Sequence, residues 1–156
     1  MSRTEIVTSL YRAFADCHRP EHFTDYLHCE ECEEHDDTMR SANTLEELEL
    51  RHLGHAGWSP LSFLTTEGFS HCMPRMIELA FLEIDKDGIS ELLARLLLQL
   101  VPTKEYDRFS GYSIVQRKAV LEALEFSNVH YRDKVASFWY EEELDKAILY
   151  WRSNAT

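Results

Sequence analysis

Ile89-Ser90-Glu91-Leu92-Leu93-Ala94-Arg95-Leu96-Leu97-Leu98-Gln99-Leu100-Val101 is the stretch that decides the fold. Its polar residues Glu91, Arg95 and Gln99 fall at i, i+4 and i+8, so a helix here carries one narrow polar stripe and is apolar elsewhere. A helix of that kind belongs at the centre of a core. Asp87 and Ser90 can cap its start, and Pro102 stops it.

The segments on either side also read as helices. After Pro102, Ser113-Ile114-Val115-Gln116 is a capping box that opens a helix to about Phe126. Arg132 to Arg152 follows as the last helix, anchored by Val135, Phe138, Trp139, Leu144, Ile148 and Trp151. Before Ile89, the pattern of Thr66 to Ile84 is helical but includes Pro74, which predicts a kink or two abutting helices. Gly54, Gly57 and Pro60 mark an irregular connection over residues 53–64, from which Trp58, Leu61, Phe63 and Leu64 plug back into the core. Thr44-Leu45-Glu46-Glu47 is another capping box, predicting a short helix to about His52. Thr4 to Cys17 reads as the first helix, and Pro20 opens a second with Phe23, Tyr26 and Leu27 on one side. Beyond His28 that side carries Glu30, Glu33 and Glu34, so the inward stripe becomes His28, Cys32, His35 and Met39 and a bend or new element is due near His28. No alternating strand pattern and no repeat is present. The fold class expected is all-α, an irregular bundle of about six or seven helices forming a single domain over residues 1–156.

Composition narrows the function. A formal charge of -12 without a basic stripe argues against nucleic-acid binding, which needs clustered Lys and Arg. An acidic surface can instead steer a basic protein partner. The greasiest run, Leu92 to Val101, is interrupted by Arg95 and Gln99 and is far short of a membrane span. The opening residues lack the pattern of a signal peptide, so the expected location is the cytoplasm. In that reducing compartment a Cys-x-x-Cys pair is metal-binding or catalytic sooner than a structural bridge.

One such pair exists, in His28-Cys29-Glu30-Glu31-Cys32-Glu33-Glu34-His35-Asp36-Asp37. Thiolate and imidazole are the ligands a borderline-soft ion such as zinc prefers. On a helix His28, Cys32 and His35 share a face, with Cys29 and Asp36 at its edge. Six of the eight residues from Glu30 to Asp37 are carboxylates. Such charge should raise both cysteine pKa values and blunt thiol chemistry, whereas a divalent cation stabilises thiolates and carboxylates together. The candidate ligands of one structural zinc are therefore Cys29, Cys32 and His35, with His28 or a distant residue completing the set. The competing reading makes Cys32 a small hydrophobe, His35 a partner of some carbonyl, and the acids a solvated face. Cys17, His18, His52, His55, His71 and Cys72 are the possible distant ligands.

Other motifs fail on their own requirements. Aligning Gly88 with the glycine of a calcium loop puts Ala94 where a bidentate Glu must sit. Glu49-x-x-His52 is half a di-iron motif, and no second copy exists. No nucleophile elbow, P-loop or dinucleotide fingerprint is present. The expectation is a non-enzymatic helical protein holding one zinc. Two alternatives stay open: an acidic inhibitor or immunity-type protein masking a basic partner, and a metal-dependent hydrolase, which needs an open coordination position beside a cleft.

Trp58-Ser59-Pro60-Leu61-Ser62-Phe63-Leu64-Thr65-Thr66-Glu67-Gly68-Phe69, followed by Met73-Pro74, resembles the signature of an uncharacterised bacterial family of unknown function. In that signature a Trp precedes a Phe-Leu-Thr-Pro-Glu-Gly/Ala-Phe run, then an aromatic pair and an apolar-Pro step. The resemblance implies a small helical domain and brings no activity or catalytic residues. Thr66 stands in place of the proline and His71-Cys72 in place of the aromatic pair. If packing is the ordinary role of that pair, neither His71 nor Cys72 is a ligand.

Overall fold

The structure, a computed structural model, describes residues 1–156 and contains seven α-helices and no named strand. The helix read from the polar stripe is α4 (Glu91–Gln99), which buries Leu92, Leu93, Ala94, Arg95, Leu96 and Leu97. Ser90 caps it, its Oγ accepting from Leu93 N at 2.9 Å. α4 packs against α3 (Thr66–Asp87) and α7 (Glu141–Asn154). α5 (Ile114–His130) lies on both α1 (Arg3–Ala13) and α7, and α1 closes onto α3. The buried Trp151 indole donates to Leu100 O at 2.7 Å, tying α7 to the end of α4. One apolar core runs through all of these, from Ile6 to Trp151.

α3 continues through Pro74 as one helix, so of the kink and the split expected there only the split is excluded. Three local expectations are corrected. The last helix divides into α6 (Arg132–Ala136) and α7, because Val135 O takes the amides of both Phe138 and Tyr140 and Trp139 adopts φ 62°. Only half of the capping box at Thr44 forms: Glu47 N donates to Thr44 Oγ1 at 3.2 Å, but the Glu47 carboxylate accepts from Asn43 N, and no α-helix follows. Arg75 donates instead to Leu48 O at 3.0 Å and Glu46 O at 3.2 Å, so carbonyls a helix would use are satisfied from α3, and only a 3-10 turn remains at Leu50–Leu53. Finally, residues 20–28 are not helical. Thr65 N donates to Phe23 O at 2.9 Å, and Thr24 pairs antiparallel with Leu64. The new element due near His28 is α2 (Glu30–Arg40).

Candidate metal centre

α2 begins at a cysteine cap. Cys29 has extended backbone angles, and its Sγ accepts from Cys32 N at 3.3 Å, the role usually filled by Ser, Thr, Asp or Asn. Glu30, Glu31 and Glu33 occupy the first turn, where the helix dipole favours negative charge. The buried face is Cys32, His35, Asp36 and Met39, so three of the four inward positions read from sequence are inside. Glu30, Glu33, Glu34 and Asp37 face solvent as a negative outer surface.

Asp36 is the acid that does not belong to that surface. Its carboxylate accepts from Phe23 N at 2.6 Å and Thr24 N at 3.3 Å, and lies 2.7 Å from His22 Nδ1. Thr24 Oγ1 donates to Cys32 O at 2.7 Å. These bonds clamp the incoming chain along α2, and a turn closed by His28 N on Asp25 O at 3.0 Å returns His28 to the head of the helix. The ligand atoms of His28, Cys29 and Cys32 thereby lie within 4.8 Å of one another. The two sulfurs are 3.0 Å apart, and His28 Nδ1 is 3.6 Å from Cys32 Sγ. Around tetrahedral zinc such atoms stand about 3.5–3.8 Å apart, so to seat an ion the two sulfurs would have to part and the widest separation would have to close.

The electrostatics divide the two thiols, against the expectation that nearby acids raise both. Cys29 is lowered, first by the hydrogen bond from the Cys32 thiol, then by the Cys32 backbone N–H and by His28. Cys32 is pushed up to about 11, first by its hydrogen bond to Cys29, then by burial and by the charges of Cys29, Asp25 and Glu31. His28 is raised by its hydrogen bond to Cys29 and that group's charge. Hydrogen bonds from Cys32 and His28 outweigh desolvation at Cys29, whereas at Cys32 every influence raises.

His35 does not join the three. Its ring centroid lies 4.7 Å from that of Trp58 and 4.9 Å from that of Phe63. Its Nε2 is buried without a hydrogen bond, 3.5 Å from Glu31 Oε1. Four of the six distant candidates are engaged elsewhere. His71 Nδ1 contacts Cys17 O at 2.9 Å, His52 Nδ1 accepts from Glu49 N at 2.9 Å, and His55 Nδ1 accepts from Gly57 N at 3.1 Å. Cys72 is in the core, where burial pushes its thiol up to about 12. Sequence reasoning missed Asp36 as the anchor and Cys29 as the cap. The first had no local signal, because its partners are backbone amides 12 and 13 residues away.

A family model matches residues 2–155, almost the whole chain. The chain belongs to a family of unknown function, DUF6714. Comparison with curated proteins and with solved structures gives no match. In this DUF6714 protein the Trp58–Phe69 stretch serves as the joint beside the cluster. Trp58 and Phe63 hold the His35 ring, Thr65 caps α3 by accepting from Gly68 N at 3.1 Å, and Phe69 enters the core. A side chain at Gly68 would place its Cβ 2.7 Å from Phe23 O, so the close approach of α3 to the clamped segment requires glycine there.

Proposed function

We propose that this DUF6714 protein is a helical, non-enzymatic protein of the reducing cytoplasm that holds one structural zinc ion through His28, Cys29 and Cys32. The observation that carries the reading is the convergence of one imidazole nitrogen and two sulfurs within 4.8 Å. Two thiolates and a neutral imidazole satisfy zinc's preference for sulfur and nitrogen. The Cys32 thiol, raised to about 11 by itself, gives up its proton on binding because a divalent cation inverts the local electrostatics. Asp25 and Glu31, whose charges act on Cys32, are the nearby carboxylates for the fourth position. Bound there, the ion would fasten the chain entering α2 to the start of that helix. A hydrolytic role needs a cleft at the ion, and none of the five principal cavities is lined by His28, Cys29 or Cys32.

The test is metal content by mass spectrometry on untagged protein from zinc-supplemented cells. About one zinc per chain is expected, falling to near zero in Cys29→Ser and Cys32→Ser variants that remain folded. A wild-type stoichiometry near zero would sink the reading.

One observation favours a second reading. With sulfurs 3.0 Å apart, a lowered outer thiol and a raised inner one, Cys29 and Cys32 have the asymmetry of a dithiol couple. Cys29 thiolate would attack a small-molecule disulfide, releasing one thiol. Cys32, losing its proton, would then displace the second thiol and close the Cys29–Cys32 bond. Equilibration with glutathione buffers followed by thiol counting tests this. A pair that stays reduced at every glutathione ratio rules it out.

A further inference from the structure

Two arginines are buried in this acidic chain, and they are treated differently. Arg95 is 9% exposed and donates to Leu53 O at 2.6 Å and Gly54 O at 3.1 Å, with the Glu91 carboxylate 2.5 Å from its Nε. Arg108 is 5% exposed and donates to Leu61 O at 2.7 Å, Leu64 O at 3.2 Å and Gln99 Oε1 at 2.6 Å. Its guanidinium lies over the rings of Phe69 and Tyr106, with centroids 4.2 Å and 5.1 Å away. Every one of these partners is neutral. The titratable groups acting on it are Tyr106 and Tyr112, with no carboxylate among them, and burial pushes the guanidinium down from its ordinary value. The adjacent Asp107 turns its carboxylate to Phe109 N, at 2.8 Å. Arg117, at the start of α5, likewise donates only to carbonyls, those of Tyr112, Phe109 and Ser110. A chain of charge -12 has carboxylates to spare, yet the loop around Arg108 leaves its cation without one.

The guanidinium also has unused donors. Of the five N–H groups of an arginine, the Leu61 and Leu64 carbonyls occupy both on Nη1 and Gln99 occupies one on Nη2. The N–H on Nε and one on Nη2 have no partner in the chain, and Nε is not among the buried atoms sealed from solvent. Arg108 borders a cavity of about 260 Å³ between the end of α4 and the loop that follows it. Its walls include the apolar Leu98, Val101 and Pro102 and the polar Ser62. A buried guanidinium with free N–H groups suits the planar or tetrahedral oxygens of a carboxylate or phosphate, and the low local dielectric strengthens that pairing.

We propose that this cavity binds a small organic anion, its carboxylate or phosphate group on the Arg108 guanidinium and its apolar body against Leu98, Val101 and Pro102. The volume, just below that of drug-sized sites, limits the ligand to a small molecule. The inference is independent of the zinc reading, since no residue is shared.

The experiment follows the arginine Nε–H resonances of the full chain by NMR during titration with sodium benzoate and, separately, sodium phosphate, with chloride holding ionic strength constant. A saturable shift of the Arg108 resonance is expected in the millimolar range or tighter. Saturation with benzoate identifies a carboxylate ligand with an apolar body, and saturation with phosphate alone identifies a phosphorylated one. Arg108→Gln removes a staple as well as a ligand, so the decisive variant is Leu98→Trp. Leu98 is a half-exposed wall residue, and the larger ring fills the cavity without touching the carbonyl bonds of Arg108. At least a ten-fold loss of affinity is expected in that variant. No saturation with either anion, an equal shift at Arg117, or wild-type affinity in Leu98→Trp would each overturn the proposal.

Discussion

α2 and α4 are helices of similar length held in place by opposite means. α4 is fixed by apolar area, with five of its six buried residues Leu or Ala and its one buried charge neutralised by Glu91. α2 buries four residues, and only Met39 among them is a pure hydrocarbon-like filler. Its position comes from directed bonds instead: Asp36 to the amides of Phe23 and Thr24, Cys32 O to Thr24, and the His35 ring between Trp58 and Phe63. Apolar burial is non-directional and tolerates small shifts. A hydrogen-bonded clamp sets side chains to a fraction of an ångström, which a cluster of ligands requires.

The contrast can be broken from the α4 side with the largest effect. Leu96→Ala removes a fully buried side chain and should cost about 2–5 kcal/mol of unfolding free energy in denaturant melts. The zinc bound per folded chain should not change. From the α2 side, Asp36→Ala strands two buried backbone donors and should cost about 2–4 kcal/mol. Unlike Leu96→Ala, it should also weaken zinc binding at least ten-fold, measured by competition with a chromophoric chelator. Charge-neutral Gln at Glu33 and Glu34, on the solvent face, should leave both quantities unchanged. If Asp36→Ala leaves zinc affinity intact, the clamp is irrelevant to the cluster.

Smaller effects sharpen the comparison. In metal-stripped protein at neutral pH, iodoacetamide should label Cys29 first and Cys72 last, because Cys29 is lowered at a helix cap while Cys72 is held near 12 in the core. Peptide mass mapping reads the order, and equal labelling of the two would contradict these environments. The smallest effect concerns His52, whose proton affinity is lowered by burial and by Arg51. The unfolded chain binds a proton near pH 6.5 while the folded imidazole stays neutral. Its contribution to stability is therefore complete above that pH and declines as pH falls toward the depressed folded value. The pH slope of the melting temperature below 6.5 should flatten in His52→Asn.

How far the sequence carried depends on the range of the interaction. The polar stripe of α4, the Ser90 cap and the Ser113–Gln116 box are contacts within four residues, and all three form as read. The same local signal misled at Thr44, where the cap bond formed but Arg75, 27 and 29 residues away, claimed the carbonyls of Leu48 and Glu46. It misled again after Val135, where helical spacing of the aromatics ran across a real break at Trp139. At the candidate site, helical periodicity put Cys32, His35 and Met39 inside but could not say which of them meets His28.

The residues themselves determined that this chain is helical, that α4 is central, and that soft ligands crowd the start of an acidic segment, since each follows from spacing along the backbone. Tertiary structure alone decided that His28 returns over Cys32, that His35 is packed away between two aromatic rings, and that Arg108 is buried without a carboxylate. Those outcomes depend on bonds between segments whose approach no local periodicity encodes, and the energy of each is settled only when the whole core closes around it.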